Sequence, residues 1–211
     1  MTTISVIIPA YNRATLIGAT LDSVLAQTCP VSQVLVVDDG STDNTTDVVR
    51  DYEKRSQGLI RLIPQSNAGP SVARNHGLSL CTGDFVAFLD ADDLWLPTKI
   101  QKQLALLQSD PTAAGCYTQM FRFRQTLDDL GRPLTQNTLD QPGFEHVFLT
   151  MCIQSSMTLI QGNIARALQF EDQARPAEDA DLLCRGSQKR HVATGSRSAH
   201  SLSAPWGSGH S

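Results

Sequence analysis

Three carboxylates, Asp90, Asp92 and Asp93, fall within four positions directly after the apolar run Phe85-Val86-Ala87-Phe88-Leu89. Acids this close repel one another unless positive charge lies between them. A divalent cation would supply that charge. Mg²⁺ or Mn²⁺ favours carboxylate oxygen and is commonly shared with substrate phosphates. The plain alternative is a solvated loop that happens to be acidic, since an Asp-x-Asp pattern alone has little specificity.

The acids need a platform, and the flanking residues describe one. Phe85 to Leu89 reads as a buried strand, because Val and Phe suit a sheet covered on both faces and Gly83-Asp84 marks the turn before it. Ile4-Ser5-Val6-Ile7-Ile8 is a second such run, closed by Pro9-Ala10-Tyr11-Asn12, and Val34-Leu35-Val36-Val37 is a third, closed by Asp38-Asp39-Gly40-Ser41. Each of these two leads into a helical stretch. Over residues 14–27, Ile17, Leu21, Val24 and Leu25 fall on one face. Over residues 42–56, Ser41 is the expected N-cap and Asp43 suits the first turn. Strand, polar turn, helix, strand is the pattern of a parallel α/β sheet, whose ligands bind beyond the carboxyl ends of the strands. Tyr11, Asp39 and the acids at 90–93 all fall at such ends.

Four segments in order, Ile4 to Asn12, Val36 to Asp43, Asn67-Ala68-Gly69-Pro70-Ser71-Val72-Ala73-Arg74-Asn75-His76-Gly77, and Leu89 to Asp93, resemble the motifs of the family 2 glycosyltransferases. The resemblance covers residues 3–120. It implies a GT-A fold: one α/β domain with a Rossmann-like, mostly parallel sheet flanked by helices. Residues 1–120 would form its nucleotide-sugar half and 121–185 its acceptor side, leaving 186–211 as a tail. Within the resemblance Pro9, Tyr11 and Asn12 border the nucleotide, and the Tyr11 ring can stack on a base for about 1–3 kcal/mol. Asp39 can accept the imide N–H of uracil or thymine while Asp38 caps the next helix, although the two acids could exchange roles. Asn67 and Gly69 shape the turn before a helix opening at Pro70. Arg74 on that helix reaches the nucleotide, pairs with a nearby acid, or does both. Asp90 resembles the residue near the ribose and pyrophosphate. Asp92 resembles the metal ligand, with Asp93 able to take its place. Glu178-Asp179 resembles the family's acidic motif, Asp179 being the catalytic base and Glu178 orienting the acceptor. A first helical turn after Pro176 is the plain alternative there.

The implied reaction is metal-assisted sugar transfer, with inversion, from a UDP- or dTDP-linked donor to an acceptor hydroxyl, saccharide or lipid-linked. Cell-envelope polysaccharide assembly is the implied setting. A pyrophosphorylase or a dehydrogenase would need a glycine-rich phosphate loop after the first strand, where this chain has Pro9-Ala10-Tyr11-Asn12.

Composition agrees with one domain of substantial core: 211 residues, 41% hydrophobic. A net charge of −4 argues against nucleic acid as the main partner. Neither a leader peptide nor a bilayer-spanning run is recognisable. The five cysteines, Cys29, Cys81, Cys116, Cys152 and Cys184, have no metal-ligand spacing and fit a reducing cytoplasm, with peripheral attachment to the membrane open.

Further along, Pro97 opens an expected helix with Ile100, Leu104 and Leu107 as its apolar face. Residues 113–123 return to the sheet, and 152–164 are apolar enough to join the core. Between them, 124–145 is polar and rich in turns, and His146 is either an acceptor contact or an ordinary packed histidine. From Gly186 onward there is no acidic residue, and Ser, Gly and His dominate. This tail reads as disordered, truncated or shifted in frame. It leaves a second functional reading: a remnant that binds nucleotide sugars without turnover.

Overall fold

The computed structural model describes residues 2–123, 130–133, 154–171, 192–194 and 200–203. The β-branched runs become strands β1 (Ile4–Ala10), β2 (Gln33–Asp38), β3 (Ile60–Pro64) and β4 (Phe85–Phe88). These lie side by side in the order β4-β1-β2-β3, all parallel, with Ile7 opposite both Leu35 and Phe88. Helices α1 (Ile17–Leu25), α2 (Thr45–Arg55) and α3 (Pro70–Leu80) make the connections. Alternation along the strands divides the core. Val6, Ile8, Val34 and Val36 pack with Ile17, Leu21 and Val49 of α1 and α2, whereas Ile7, Leu35 and Phe88 pack with Leu78 of α3.

Beyond β4 the chain forms β5 (Asp93–Trp95), α4 (Lys99–Ser109), β6 (Gly115–Tyr117), β7 (Gln119–Phe123) and β8 (Leu130–Pro133). Then follow a 3-10 turn (Ser155–Met157), β9 (Thr158–Gln161), α5 (Gly162–Leu168), β10 (Val192–Thr194) and β11 (His200–Ser203). Among the described residues the main sheet has seven strands, β10-β6-β9-β4-β1-β2-β3, and β9 runs antiparallel to both of its neighbours. A second sheet runs β5-β11-β7-β8. The stretch 113–123 therefore divides between two sheets. Two short strands come from the region after Gly186, where composition gave no element.

Local details depart from the sequence expectations for physical reasons. α1 starts at Ile17 and leaves Leu25 exposed. At 100° per residue Leu25 stands about 80° round the helix from Ile17, while Thr20, about 60° the other way, takes the buried place. α2 starts at Thr45 rather than Thr42, because its approach is tied elsewhere. Ser41 is not its cap: the Ser41 hydroxyl accepts the Asn12 N–H at 3.0 Å. Asn12, at φ +51°, accepts the Thr42 N–H on Oδ1 at 2.8 Å. Asp43 lies ahead of the first turn and accepts the Thr45 N–H at 2.9 Å. α4 opens at Lys99, two residues after Pro97, and its buried face includes Lys99 and Gln103 beside Ile100 and Leu107.

α3 lies so close to β1 that a Cβ on Gly77 would meet Ile7 Cγ2 at 2.5 Å. Gly77→Ala is expected to destabilise the protein by about 1–3 kcal/mol through overpacking. Thermal unfolding followed by circular dichroism checks this, and an unchanged midpoint would contradict it.

Candidate functional site

The carboxyl ends of β1, β2 and β4 form one rim. Pro9, half-buried in β1 opposite Val37, leads through Ala10 to Tyr11, which is 45% exposed. The left-handed backbone at Asn12 turns the chain so that Asn12 bridges to Ser41, Thr42 and Asp43. The first two turns are thereby fastened together, and the Asp39 N–H donates to the Ala10 carbonyl at 2.8 Å.

Asp39 is buried and organises the third turn. Its Oδ1 accepts Gln65 Nε2 and the Ala68 N–H, both at 2.8 Å, and its Oδ2 accepts the Gly69 N–H at 2.8 Å. Asn67 Nδ2 donates to the Asp39 carbonyl at 3.0 Å. Gly40, at φ +75°, permits this closeness, since a Cβ there would lie 2.9 Å from Asn67 N. Asp38 takes the Thr46 hydroxyl on Oδ2 at 3.1 Å, a side-chain contact with α2 rather than a backbone cap, and its buried Oδ1 has no hydrogen-bond partner among the described residues.

The acids after β4 separate into three environments. Asp90 accepts Arg74 Nη2 at 2.8 Å. Its N–H donates to Ser156 Oγ at 3.0 Å, and Trp95 Nε1 holds the Ser156 carbonyl at 3.1 Å. Arg74 is buried, its guanidinium 5.2 Å from the centre of the Phe170 ring, and Phe170 packs edge-on against Phe88 at 5.0 Å. Asn75 clamps Phe170 by donating to its carbonyl and accepting its N–H. Arg74 thus sits beneath the rim and pairs there with Asp90. Asp92 is half-exposed and pairs with Arg13, Nε to Oδ2, at 3.3 Å. Burial, and then the charge of Asp90, hold the Asp92 carboxyl above its ordinary range, with Arg13 opposing them. Asp93 is buried in β5, so of the two adjacent acids Asp92 is the one that meets solvent.

The donor set suits a hard divalent cation: carboxylate oxygen, with an anion at Asp92 that its surroundings disfavour. Among the described residues no three His, Cys, Asp or Glu side chains converge as a protein-built metal cage. Asp92, with Asp90 behind it, would share such an ion with phosphate oxygens and water. The structure joins Pro9, Tyr11, Asn12, Asp39, Asn67, Arg74, Asp90 and Asp92 through neighbouring turns, and sets Asp93 inward. Asp179, Glu178 and His146 lie outside the described residues. Sequence reasoning missed Arg13, Ser156 and Phe170. Arg13 directly follows a motif residue and was within reach, while Ser156 and Phe170 act through contacts 66 and 95 residues away in sequence.

Residues 5–158 match the family model described as glycosyl transferase family 2. The UDP-Glc:alpha-D-GlcNAc-diphosphoundecaprenol beta-1,3-glucosyltransferase WfgD of Escherichia coli is 39% identical over 105 residues, 49% of this chain and 40% of that protein. Staphylococcus aureus TarS, in a crystal structure with UDP-GlcNAc, superposes with a TM-score of 0.76 at 22% identity, covering 99% of this chain and 60% of that one. The mannosyltransferase PcManGT of Pyrobaculum calidifontis, in complex with GDP-Man and Mn²⁺, gives a TM-score of 0.74 at 21% identity, covering 98% and 58%. The chain spans about a third to two fifths of the length of several curated relatives it matches.

Proposed function

The chain belongs to glycosyl transferase family 2 and has the GT-A fold, and from that premise we propose that it transfers a sugar from a uridine or thymidine diphosphate donor to an acceptor hydroxyl, with inversion. The observation that carries this reading is the half-exposed Asp92 beside Asp90 at the end of β4, on the rim that also presents the Tyr11 ring. The donor named in the TarS complex supports a uridine nucleotide, and the name of WfgD supports a lipid-linked diphosphate acceptor. Mn²⁺ in the mannosyltransferase complex supports a divalent cation. No helix among the described residues is long and apolar enough to cross a membrane.

The residues divide the work. Tyr11 stacks on the base, and Asp39 with Asn67 holds the turn beside it and offers the imide N–H an acceptor. Asp92 faces the diphosphate, and Asp90, fixed by Arg74 and Ser156, sets where Asp92 stands. Mg²⁺ or Mn²⁺ at Asp92, when bound, would neutralise the leaving diphosphate. Asp179 takes the proton from the acceptor hydroxyl as that oxygen attacks the anomeric carbon from the face opposite the leaving group.

Calorimetric titration of UDP with and without Mn²⁺, on wild type and on Asp92→Ala, tests the donor site. Binding that requires the metal and is lost in the variant is the expected result. A folded wild-type protein that ignores UDP under both conditions would overturn the reading.

A further inference from the structure

The two acids that end β4 each carry an arginine, and the two pairs are built differently. Arg74 is enclosed, its side chain 5% exposed beside the Phe170 ring, and it pairs with Asp90, whose side chain is 32% exposed. Arg13 and Asp92 are open, with side chains 42% and 37% exposed. Arg13 is still held in place. Its Nη1 donates to the Asn12 carbonyl at 3.1 Å and to the Tyr11 carbonyl at 3.3 Å, and its backbone N–H donates to Thr45 Oγ1 at 2.7 Å. The guanidinium therefore stands between the turn carrying the Tyr11 ring and the carboxylate of Asp92. An open ion pair of this kind favours its partners by only about two- to fivefold, so another cation can replace it. The buried Arg74 guanidinium lacks that freedom, because drawing it away from Asp90 would separate a charge that burial has already stripped of water.

From this contrast we propose that Arg13 is an exchangeable countercation: it neutralises Asp92 before the donor arrives, and turns onto the donor diphosphate when a divalent cation takes Asp92. The proposal rests on the reading of Asp92 as the metal-facing acid. The planar fork of a guanidinium matches phosphate oxygens, and the carbonyl contacts at Tyr11 and Asn12 keep it at the nucleotide's side while it turns.

The test uses the full chain as wild type, Arg13→Gln, Arg13→Lys and Asp92→Asn, each checked for folding by circular dichroism. Mn²⁺ alone is titrated by the electron paramagnetic resonance of the free ion, and UDP is titrated calorimetrically in saturating Mn²⁺. Arg13→Gln is expected to bind Mn²⁺ alone about two- to fivefold more tightly, having lost the competing cation. The same variant is expected to bind UDP about tenfold more weakly, having lost a charge-assisted contact. Arg13→Lys, which keeps the charge but not the fork, is expected near wild type for Mn²⁺ and between the two for UDP. An Arg13→Gln protein that binds Mn²⁺ no more tightly than wild type, or that binds UDP within about twofold of wild type, overturns the proposal. If Asp92→Asn has meanwhile lost Mn²⁺, the metal reading survives that failure. Undiminished Mn²⁺ binding by Asp92→Asn would instead remove the metal reading, and the proposal with it.

Discussion

Asp39→Asn is expected to lose about 2–4 kcal/mol of stability together with most of its affinity for UDP. The cause is that both carboxylate oxygens accept backbone N–H groups, Oδ1 from Ala68 and Oδ2 from Gly69. An amide has one acceptor, so in either orientation its NH₂ confronts a backbone donor that cannot rotate away. One buried N–H loses its partner and faces another donor, and the 65–69 turn loosens with it. Asp38→Asn is the informative contrast. Asp38 needs one acceptor oxygen for the Thr46 hydroxyl, and its other oxygen has no partner among the described residues. That variant is expected to stay within about 1 kcal/mol of wild type. Urea unfolding of both variants, with UDP calorimetry on the same samples, makes the comparison. An Asp39→Asn protein as stable as wild type, yet unable to bind UDP, would show that Asp39 acts on the base alone and not through the turn.

Much of the rim was legible because its signals are local. Apolar runs broken by polar turns gave β1, β2 and β4, and Pro70, whose missing N–H costs nothing at a helix start, gave the first residue of α3. The adjacent acids Asp92 and Asp93 could not be separated before the short strand β5 was known, since its alternation turns Asp93 and Trp95 inward. The late start of α2 was hidden for another reason. Ser41 and Asp43 both have good capping chemistry, and only the left-handed turn at Asn12, which carries no strong sequence mark, engages the first of them elsewhere. The support under Asp90 could not be read at all. Ser156 belongs to a stretch whose composition says only that it is apolar and Phe170 follows it with no signal of its own; both reach the site because β9 inserts antiparallel between β4 and β6. A lysine on an amphipathic helix also reads as surface, and Lys99 is not there.

Lys99→Met is expected to stabilise the protein at neutral pH and to abolish a rise in stability between about pH 7 and 9. Lys99 is wholly buried, and its partners are neutral: Nζ donates to Gln103 Oε1 at 2.7 Å and lies 4.3 Å from the centre of the Trp95 ring. Burial pulls its ammonium down to about 7. In the unfolded chain the same group keeps its proton to near pH 10.5. Between those values the unfolded state binds more protons than the folded state, so wild-type stability increases with pH, by at most about 1.4 kcal/mol per unit. Below pH 7 both states are protonated and the full burial cost is present. The window closes early, because burial pushes the Cys116 thiol up to about 12 from 9.0. Between about pH 9 and 10.5 the unfolded thiol ionises while the folded one does not, which cancels the gain from the lysine, and stability levels off. Methionine fills a similar volume without charge and leaves Gln103 Oε1 without its donor, which costs about 1 kcal/mol. The net gain at pH 7 is expected to be about 1–3 kcal/mol, shrinking toward pH 9. Urea unfolding of both proteins at pH 7, 8 and 9 measures it, and two parallel stability curves would refute the assignment. Gln103 Nε2 keeps its bond to the Met157 carbonyl at 3.0 Å, beside the Ser156 that holds Asp90. UDP affinity is therefore expected to be unchanged in Lys99→Met, which separates this buried charge from the chemistry it lies beneath.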